Sequence, residues 1–423
     1  MAPPASRPYQ GLLVGLHLLA AVGFLYKLRV EPGLNNVPEH FDEVVEAATF
    51  PNGLPLKTTY FGVPAIDQVF PWLVVAFVAG PAGWDINVRL EQMHFLYNFA
   101  SILAVLVVES RRVANAQRIT TWIALWAVFY QTVGGAFIVP LWFAVDLMTS
   151  NDADRSRLAA KRDVPLPYAQ FVLPATILGY LLPTALLYVP WGWSHEVSQI
   201  LTAFWQPAPL LVSLFLVLFA NAAMSLSVTT SAAGPTSHAG FPNARDGPPR
   251  DTVPGGDMTP PDDVFYLKTY YAMVGMLCFV VHAYVLYQIQ TGGYAELIAS
   301  AAAAGGGPGG AVTFSSVFLP SKDLWKTSLA AGLHYIFQWD EIGIFGTALT
   351  WSWVKTWDIQ RAAAATRGGV SGAALARSAV LITLANVLVG PGATIMAIWF
   401  WRENKLVEMA AAQPGTTEAK KLR

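Results

Sequence analysis

The sequence predicts an all-α fold, a polytopic transmembrane helical bundle of eight or nine spans, and three observations support it. Apolar residues make up 54% of the 423-residue chain and charged residues 13%, about half the charged fraction of a typical soluble domain. The mean hydropathy is +0.43. Several apolar stretches reach the roughly 20 residues that a helix needs to cross about 30 Å of hydrocarbon. Because lipid offers the backbone no hydrogen bonds, helices are the expected elements.

Nine segments are predicted to span the membrane, and the second and eighth are short enough to be re-entrant. An eight-span bundle is therefore the alternative. The first segment has no clear small-residue cleavage site after it, so we expect a retained span and not a cleaved signal peptide. The nine segments are residues 10–28, 65–81, 92–108, 119–146, 168–190, 199–225, 264–289, 341–357 and 378–401.

Polar and low-complexity stretches divide the chain. We expect residues 1–407 to form a single transmembrane domain and residues 408–423 to form a polar tail. Residues 226–263 are rich in Ser, Gly, Pro and Asp, and residues 299–320 begin with an Ala/Gly run, so both are predicted to be mobile loops. Lys and Arg are shared almost evenly between the two sides of nine spans, which leaves the membrane orientation open.

The charged residues and the cysteine count exclude several functions. A formal net charge of −1 gives no basic field for nucleic acid. Cys278 is the only cysteine, which excludes an intrachain disulfide. The acid pair Asp262–Asp263 lacks the third acid of an aspartate-rich diphosphate motif, so we interpret it as a charge pair at a helix N-terminus. No metal and no cofactor are expected, and the oligomeric state stays open.

Carboxylates lie beside apolar sequence at several predicted span ends. If the spans simply alternate, Asp67, Glu109 and Asp340 lie at one membrane face and Asp146 at the other. Structural roles remain open for each of them, such as a helix cap for Asp67 or an ion pair for Glu109. The predicted face also holds other polar residues at span ends: Arg112, Asn115, His195, Glu196, His282, Tyr287, Gln288, His334 and Glu341.

Asp340, in the segment FQWDEIGIF, is the acid that is hardest to explain structurally. Its neighbours include Trp339 and Ile342, and a charged side chain at the centre of the hydrocarbon costs about 2.5–3.5 kcal/mol. Apolar surroundings favour the neutral acid. A buried, protonated acid is what a proton-initiated reaction requires, so Asp340 is the first candidate for a catalytic acid.

The aromatic content points toward the same kind of chemistry. The chain contains 15 Trp, 15 Tyr and 23 Phe residues. Many of them stand at span ends, where an interfacial belt is the default interpretation. Others, including Trp205 and Trp351, fall in or near spans that carry polar groups. Aromatic faces stabilise cations through their quadrupole, so a pocket for a carbocation would be rich in such residues.

Four segments carry a resemblance to a known family: GVPAIDQVFPWLVVAF, LEQMHFLYNFASILAVLVVESRRVAN, GGAFIVPLWF and FQWDEIGIFGTALTW. Over residues 55–400 the chain resembles fungal integral-membrane terpene cyclases of ascofuranone-type and macrophorin-type meroterpenoid pathways. The resemblance implies a polytopic helical protein of the endoplasmic reticulum membrane. It also implies protonation of a terminal epoxide or alkene on a farnesyl chain attached to a quinone- or phenol-derived head group. The residues that match the family's motifs are Asp67, Glu109, Arg112, Asn115, Pro140 and Asp340.

We therefore expect a membrane-bound, metal-independent terpene cyclase whose proton donor is Asp340 first, and Asp67 or Glu109 next. The expected partners are a lipophilic isoprenoid substrate and membrane lipid. The predicted substrate-binding residues are Arg112, Asn115, Trp339, Glu341, Tyr287 and His282. The alternative hypothesis is a non-enzymatic membrane transporter of a secondary-metabolite pathway, in which the carboxylates relay protons. A third hypothesis is a scaffold whose acids are all capped or paired.

Overall fold

The computed structural model describes residues 7–150, 162–189, 192–232, 262–292, 311–364 and 370–411. These residues form helices, joined by turns and by one isolated bridge between Thr49 and Pro55. The all-α fold class predicted from the sequence is therefore confirmed for the described part of the chain.

The first half of the described chain contains ten helices and two π-helical turns. Turn Tyr26–Val30 joins α1 to α2, and turn Ile177–Leu181 joins α9 to α10. The ten helices are α1 (Gln10–Leu25), α2 (Glu31–Leu34), α3 (Phe41–Ala47), α4 (Pro64–Asp67), α5 (Phe70–Phe77), α6 (Ile86–Arg111), α7 (Ile123–Thr132), α8 (Gly135–Thr149), α9 (Leu166–Thr176) and α10 (Leu182–Tyr188).

The second half of the described chain contains seven helices, of which α15 is the longest at 36 residues. The seven are α11 (His195–Trp205), α12 (Ala208–Ala232), α13 (Asp262–Thr291), α14 (Phe314–Phe318), α15 (Leu329–Ala364), α16 (Gly372–Val389) and α17 (Pro391–Ala411).

Six described helical segments are long and apolar enough to cross a membrane, so the predicted count of eight or nine spans is not confirmed. Three further apolar helices are shorter, namely Pro64–Phe77, Ile123–Thr132 and Gly135–Thr149. The six are Gln10–Leu34, Ile86–Arg111, Leu166–Tyr188, Ala208–Leu226, Asp263–Thr291 and Gly372–Val389.

The predicted span 119–146 is wrong, because the structure folds it into a helical hairpin of α7 and α8. The chain turns at Gly134, whose φ of 130° is a conformation that glycine adopts without strain. The two arms run side by side in opposite directions. Trp142 Nε1 donates to the Thr120 carbonyl at 3.1 Å, and Arg118 lies 3.7 Å from Asp146.

Two other predicted spans are each broken into two helices. The span 199–225 breaks between Trp205, where α11 ends, and Ala208, where α12 begins. The span 378–401 breaks at Gly390, which has a φ of 86°. A Cβ at Gly390 would lie 2.8 Å from the His282 ring, so the break also allows close packing on α13.

Helix α6 is the centre of the bundle. It is buried along nearly its whole length and makes polar contacts with four neighbouring elements: the π-helical turn Ile177–Leu181, α13, α15 and α17. The Tyr180 hydroxyl donates to the Leu96 carbonyl at 2.7 Å, and Asn98 Oδ1 accepts from the Gly392 amide at 3.0 Å. His94 contacts α13 and α15. In contrast, α16 has no buried residue, as expected of a helix that faces lipid.

The buried polar residues gather at two opposite ends of the bundle. On α6, His94 lies beside Glu341 of α15, and Glu109 lies about 22 Å further along at 1.5 Å per residue. We call the two regions the Asp340 end, with Glu91, His94, His282, Asp340 and Glu341, and the Glu109 end, with Glu109, Arg112, Asp146, Lys355, Asp358 and Glu403.

The prediction that Glu109 and Asp340 share one membrane face was therefore wrong, and Asp146 is not the exception. Helices α4 and α5 stay at the Asp340 end, where α5 packs against α3 and α11. The predicted second span, residues 65–81, therefore does not cross the bundle, and the third span, which leads to Glu109, was assigned the wrong direction. The α7–α8 hairpin adds one crossing that was not predicted, so the spans after the hairpin were again assigned the right direction.

The predicted loops and tail lie partly outside the described residues. Helix α12 continues to Ala232, and residues 233–261 and 293–310 are not described. Within the predicted loop 299–320, residues Phe314–Phe318 form α14, whose Ser316 hydroxyl donates to Asn87 at 2.9 Å. Helix α17 extends to Ala411, past the predicted start of the tail at residue 408, and residues 412–423 are not described.

Helix α3 lies at the Asp340 end and the last turns of α17 lie at the Glu109 end, so we expect the two to be exposed to water on opposite sides of a membrane. Single cysteines in place of Glu43 and Glu408, whose side chains are 74% and 61% exposed, should react with an impermeant maleimide from opposite sides of sealed microsomes. The native Cys278 is fully buried and provides a silent background. Equal labelling of both cysteines before permeabilisation would contradict this arrangement.

Candidate active site

A cavity of about 280 Å³ lies at the Asp340 end, between α6, α7, α15 and the segment that follows α1. Its volume is close to the lower end of the range for small-molecule sites. The Asp340 side chain lines it, and most of the wall is apolar. The aromatic part of the wall consists of Phe41, Phe77, Phe95, Phe99, Tyr130, Trp205 and Phe337.

The aromatic rings of the wall pack on one another. Phe77 contacts Phe337 edge to face at a centroid distance of 4.7 Å and Trp205 at 5.5 Å. On the opposite side, Phe99 contacts Tyr130 edge to face at 5.4 Å. Edge-to-face pairs hold each other in place, so the wall presents π surface and few nucleophiles to whatever fills the cavity.

Asp340 is held by the N-terminus of α8. Its Oδ1 accepts a hydrogen bond from the Ala136 amide at 2.5 Å, and the Gly135 amide also acts on the carboxyl group. The first amides of a helix point outward with partial positive charge, which stabilises an anion placed there. Burial among largely apolar groups is the stronger influence and disfavours the Asp340 carboxylate, and the backbone dipoles of α8 offset part of that cost.

Two glycines allow α8 to approach Asp340 this closely. A Cβ on Gly135 would collide with the Ile344 side chain of α15, one turn beyond Asp340. A Cβ on Gly343 would collide with Ala136, and would lie 2.9 Å from the Phe24 ring. Any larger residue at either position would separate α8 from α15 and withdraw the amides from the carboxyl group.

Arg29 stands at the rim of the cavity, in the π-helical turn after α1. Its Nε donates to the Val133 carbonyl at 2.9 Å, and its NH2 group donates to the Thr132 carbonyl at 3.1 Å. Both carbonyl groups lie at the C-terminus of α7, where the partial negative charge of the helix dipole attracts a cation. The exposed guanidinium also lies close enough to Asp340 to act on it electrostatically.

Tyr130 brings a hydroxyl group to the cavity wall that has no hydrogen-bond partner within the described chain. The residue is only 4% exposed. A buried hydroxyl without a partner costs about 1–3 kcal/mol, so it needs a partner that the protein does not supply. A polar atom of a bound molecule would satisfy it.

A second group of titratable residues lies behind the wall, between α6, α13 and α15. His94 Nδ1 is 2.5 Å from Glu341 Oε1, and His94 Nε2 is 2.9 Å from His282 Nδ1. Glu91, one turn before Phe95 on α6, is fully buried, and neither of its carboxyl oxygens has a hydrogen-bond partner among the residues that the structure describes. The predicted substrate-binding residues Glu341 and His282 thus belong to this group and do not line the cavity.

Sequence reasoning missed Glu91, His94 and Tyr130. The segment LEQMHFLYN did hold a signal, because Glu91, His94 and Asn98 recur at helical spacing on one side of an apolar helix. No such signal marked Tyr130, because it lies in the apolar segment IALWAVFYQT, whose composition is typical of a membrane helix.

Asp67 has a local structural partner. Its Oδ1 accepts hydrogen bonds from the Tyr60 and Phe61 amides at 2.9 Å each. This closes the turn before α4 and leaves the side chain away from the cavity lining.

Glu109, Arg112 and Asn115 come together as predicted, but in a buried ion network at the opposite end of the bundle. Arg402 donates to Glu109 Oε1 at 2.9 Å, and Arg112 Nε donates to the same oxygen at 3.1 Å. Asn115 donates to the Glu109 carbonyl oxygen at 2.8 Å, and Arg112 also pairs with Glu403. Each charge here has an opposite partner, as expected of a structural network.

This network continues into a second one through two stacked indoles. Trp399 donates to Glu109 at 3.3 Å and stacks on Trp351 at a centroid distance of 4.9 Å. Trp351 donates to Asp146 at 2.9 Å, and Lys355 lies 2.7 Å from the same carboxylate. Charge pairs at the Glu109 end thus join α6 to α17 and α8 to α15, four helices in all.

The remaining predicted substrate-binding residues lie outside the cavity. Tyr287 is 62% exposed on the surface of α13. Trp339 lies on α15 outside the cavity lining, and the Lys27 ammonium is 5.1 Å from the centre of its ring. Across the described residues, no group of three or more His, Cys, Asp or Glu side chains is arranged to hold a metal ion.

Comparison with known proteins shows a family match over nearly the whole chain. The CtvD domain model matches residues 11–407. The terpene cyclase ascI of Acremonium egyptiacum is 25% identical over 199 residues, which are 46% of this chain and 51% of that protein. The terpene cyclase ctvD of Aspergillus terreus (strain NIH 2624 / FGSC A1156) is 26% identical over 163 residues, 38% of this chain and 46% of that protein.

A shorter match covers 91 residues, 21% of this chain, with 34% identity to the FAD-dependent monooxygenase verC1 of Penicillium polonicum, of which it covers 11%. The chain spans about half the length of the two terpene cyclases that it matches. No solved structure matches.

The network at the Glu109 end predicts a specific loss of stability. Glu403→Gln leaves the buried Arg112 guanidinium without one of its two carboxylates, and should cost about 3 kcal/mol because a buried charge loses its partner. The measurement is thermal unfolding of purified protein in detergent. Glu408→Gln, on the same helix but in an exposed pair with Lys405, should cost less than about 1 kcal/mol. Equal effects of the two variants would contradict a structural role for the network.

Proposed function

The chain belongs to the CtvD domain family, and on that premise we propose that it is a membrane-bound terpene cyclase that starts ring closure by protonating the end of an isoprenoid chain. The similarity to two proteins named terpene cyclases supports this activity. The observation that carries the proposal is the Asp340 carboxyl group in the wall of an aromatic cavity.

The cavity suits an isoprenoid because its wall is apolar and aromatic. Burial of a hydrocarbon chain there is favourable by about 25 cal/mol per Å² of apolar surface removed from water. The rings of Phe77, Phe95, Phe99, Trp205 and Phe337 can face the cations that form along the chain during ring closure. Holding the chain folded against these rings supplies the orientation that cyclisation needs.

Asp340 is the proposed acid because of what stabilises its conjugate base. An alkene or an epoxide is a weak base, so its protonation requires a strong acid. The α8 amides and the Arg29 guanidinium stabilise the carboxylate that remains after the proton has moved. In the proposed step the Asp340 proton adds to the terminal epoxide oxygen or alkene carbon, ring closure follows, and the last cation gives a proton from an adjacent C–H bond to a base or to water. The reaction is then an isomerisation that balances without a metal or cofactor.

The rim of the cavity fits a substrate that arrives from the lipid. Arg29 and Gly33, both exposed, lie at its edge, next to Leu28 and Pro32. A farnesyl chain could enter with its end toward Asp340 and leave a phenol- or quinone-derived head group near Arg29 and Gln131. We propose the endoplasmic reticulum membrane as the location, following the resemblance of the sequence.

Asp340→Asn tests the acid directly. The amide keeps the shape of the side chain but cannot give a proton, so turnover should fall by about 100-fold or more. The measurement is product formation by purified protein from farnesyl-phenols with and without a terminal epoxide. Asp67→Asn, which removes charge from a turn outside the cavity, should retain activity. Full activity of Asp340→Asn, or unchanged substrate across the panel with the native protein, would sink the proposal.

Tyr130→Phe tests whether a polar atom of the substrate meets the cavity wall. Removing a hydroxyl that has no protein partner should not lower the unfolding temperature. The loss of one hydrogen bond of about 1 kcal/mol should reduce kcat/KM by about fivefold to tenfold. An unchanged kcat/KM for every substrate that is turned over would show that Tyr130 serves only as an apolar wall.

A further inference from the structure

Basic residues are distributed unevenly between the two ends of the bundle, once each is assigned by its helix end or by its contacts. Arg7, before α1, pairs with Asp358 at the Glu109 end, whereas Lys57 pairs with Glu196 at the Asp340 end. Eleven described Lys and Arg residues lie at the Glu109 end and six at the Asp340 end. The eleven are Arg7, Arg111, Arg112, Arg118, Arg162, Lys268, Lys355, Arg361, Arg377, Arg402 and Lys405, and the six are Lys27, Arg29, Lys57, Arg89, Lys322 and Lys326.

The other nine Lys and Arg residues are outside the described residues, and their sequence positions favour the same end. Each of them falls either between two helices whose nearer ends lie at the Glu109 end, or after α17, whose last turns lie there. The even split expected from the sequence depended on nine alternating spans. The α4–α5 segment and the α7–α8 hairpin break that alternation, so the even split was wrong.

Acidic residues show the opposite distribution. Twelve described Asp and Glu residues lie at the Asp340 end and eight at the Glu109 end. Helix α3 alone carries three exposed acids, Asp42, Glu43 and Glu46. The twelve are Glu31, Glu39, Asp42, Glu43, Glu46, Asp67, Asp85, Glu91, Glu196, Asp323, Asp340 and Glu341, and the eight are Glu109, Asp146, Asp163, Asp262, Asp263, Asp358, Glu403 and Glu408.

Such a difference between the two ends of a membrane bundle has a known direction. Lys and Arg residues close to the ends of spans stay on the cytosolic side, and their excess sets the orientation. The cytosolic leaflet also carries anionic lipids, which attract basic groups near the membrane surface. Both effects act on the Glu109 end more strongly than on the Asp340 end.

A groove of about 600 Å³ at the Glu109 end holds one cation suited to an anionic head group. It lies between α9, α13 and α17, and Lys268 lines it together with Gln170 and Thr269. The Lys268 ammonium lies 4.5 Å from the centre of the Phe400 ring, and no described carboxylate forms an ion pair with it. A lysine placed in this way can hold a phosphate group at the membrane surface.

A second groove of about 520 Å³ lies between α15 and α16 at the same end. Arg377, which is exposed, lines it together with Ser378 and Gln360, and no described carboxylate pairs with Arg377. Gln360 Oε1 is buried and has no hydrogen-bond partner within the described chain. A head group with both phosphate and ammonium groups can meet Arg377 with the first and Gln360 with the second.

Most of the six cations at the Asp340 end are instead bound by protein groups. Lys27 and Lys322 both pair with Glu31, at 2.9 Å and 2.6 Å. Arg89 donates to three backbone carbonyls, and Arg29 to two. The cations that remain available to lipid are therefore concentrated at the Glu109 end.

We infer that the Glu109 end is a surface that binds anionic lipid in the cytosolic leaflet, and that the Asp340 cavity therefore opens in the opposite half of the membrane. The two grooves hold the head groups of anionic phospholipids on Lys268 and Arg377. This inference involves no turnover, so its failure would leave the cyclase proposal untouched.

Acceptor sites for N-glycosylation test the orientation, because the glycan is added only on the side of the membrane away from the cytosol. Leu54→Thr completes an Asn-Gly-Thr site at the exposed Asn52, and Pro414→Asn creates the same tripeptide after α17. In yeast that express the full-length protein, Leu54→Thr should be glycosylated and Pro414→Asn should not. The measurement is the gel shift on treatment with endoglycosidase H. Glycosylation of Pro414→Asn would overturn the orientation.

Cysteine labelling gives the orientation without relying on glycosylation. In sealed yeast microsomes, whose outer surface is cytosolic, Glu408→Cys should react with an impermeant maleimide at once. Glu43→Cys should react only after permeabilisation. The reverse order would overturn the orientation.

The double variant Lys268→Gln with Arg377→Gln tests the lipid-binding surface. From nanodiscs with equal amounts of phosphatidylcholine and phosphatidylserine, the native protein should retain mainly phosphatidylserine in native mass spectrometry. The double variant should retain about fivefold to tenfold less of it. Lys326→Gln, at an exposed site of the Asp340 end outside both grooves, should behave as the native protein. Equal retention of the two lipids by the native protein, or unchanged retention by the double variant, would overturn the lipid-binding surface.

Discussion

The contact between α8 and α15 is the interaction on which the position of Asp340 in the cavity wall depends. Gly135 and Gly343 let the two helices meet without an intervening side chain, and the α8 amides thereby reach Asp340. The same contact forms one wall of the aromatic cavity. A carboxyl group is costly beside hydrocarbon, and here the helix dipole offsets part of that cost in the charged form. Asp340 can therefore lie inside the bundle, and the α8 amides stabilise the carboxylate that would remain if Asp340 lost its proton.

Buried acidic groups have different partners at the two ends of the bundle. At the Glu109 end, carboxylates meet guanidinium and ammonium groups, and two stacked tryptophans join the networks. Such pairs hold helices in register and have little reason to exchange protons. At the Asp340 end, neither carboxyl oxygen of Glu91 has a hydrogen-bond partner among the described residues, and His94 Nδ1 lies 2.5 Å from Glu341 Oε1. The carboxylates of the Glu109 end are thus paired with cations, whereas Glu91 and Glu341 have no Lys or Arg partner in the described part of the chain.

Hydropathy alone predicts the long helices well. The segments 10–28, 92–108 and 264–289 each lie within a described helix or a pair of helices joined by a π-helical turn, and residues 168–188 of the segment 168–190 do so too. It fails where an apolar run contains a glycine break, because Gly134 and Gly390 turn the chain without any change in hydrophobicity. Glu109 was placed beside Asp340 for a separate reason: the predicted second span, residues 65–81, is apolar but does not cross the bundle, so α6 starts at the opposite end from the one assigned.

Only part of the candidate site could be predicted from the sequence, because local sequence does not show which helices pack together. Asp340 was found because its own neighbours are apolar, which is a local property. The rings of Phe77, Phe99 and Trp205 come from different helices, and their meeting depends on packing that no local pattern encodes. Glu91 looked like an ordinary residue near a helix N-terminus, and its isolation appears only when the helices around it are in place.

The most direct test of the central claim is an experimental structure of the protein in a lipid nanodisc with a farnesyl-phenol analogue whose terminal double bond is saturated. We expect the isoprenoid chain to fill the cavity between Phe95, Trp205 and Phe337, with its terminal carbons within about 4 Å of the Asp340 carboxyl group. An isoprenoid chain bound elsewhere, with the cavity beside Asp340 empty, would contradict it.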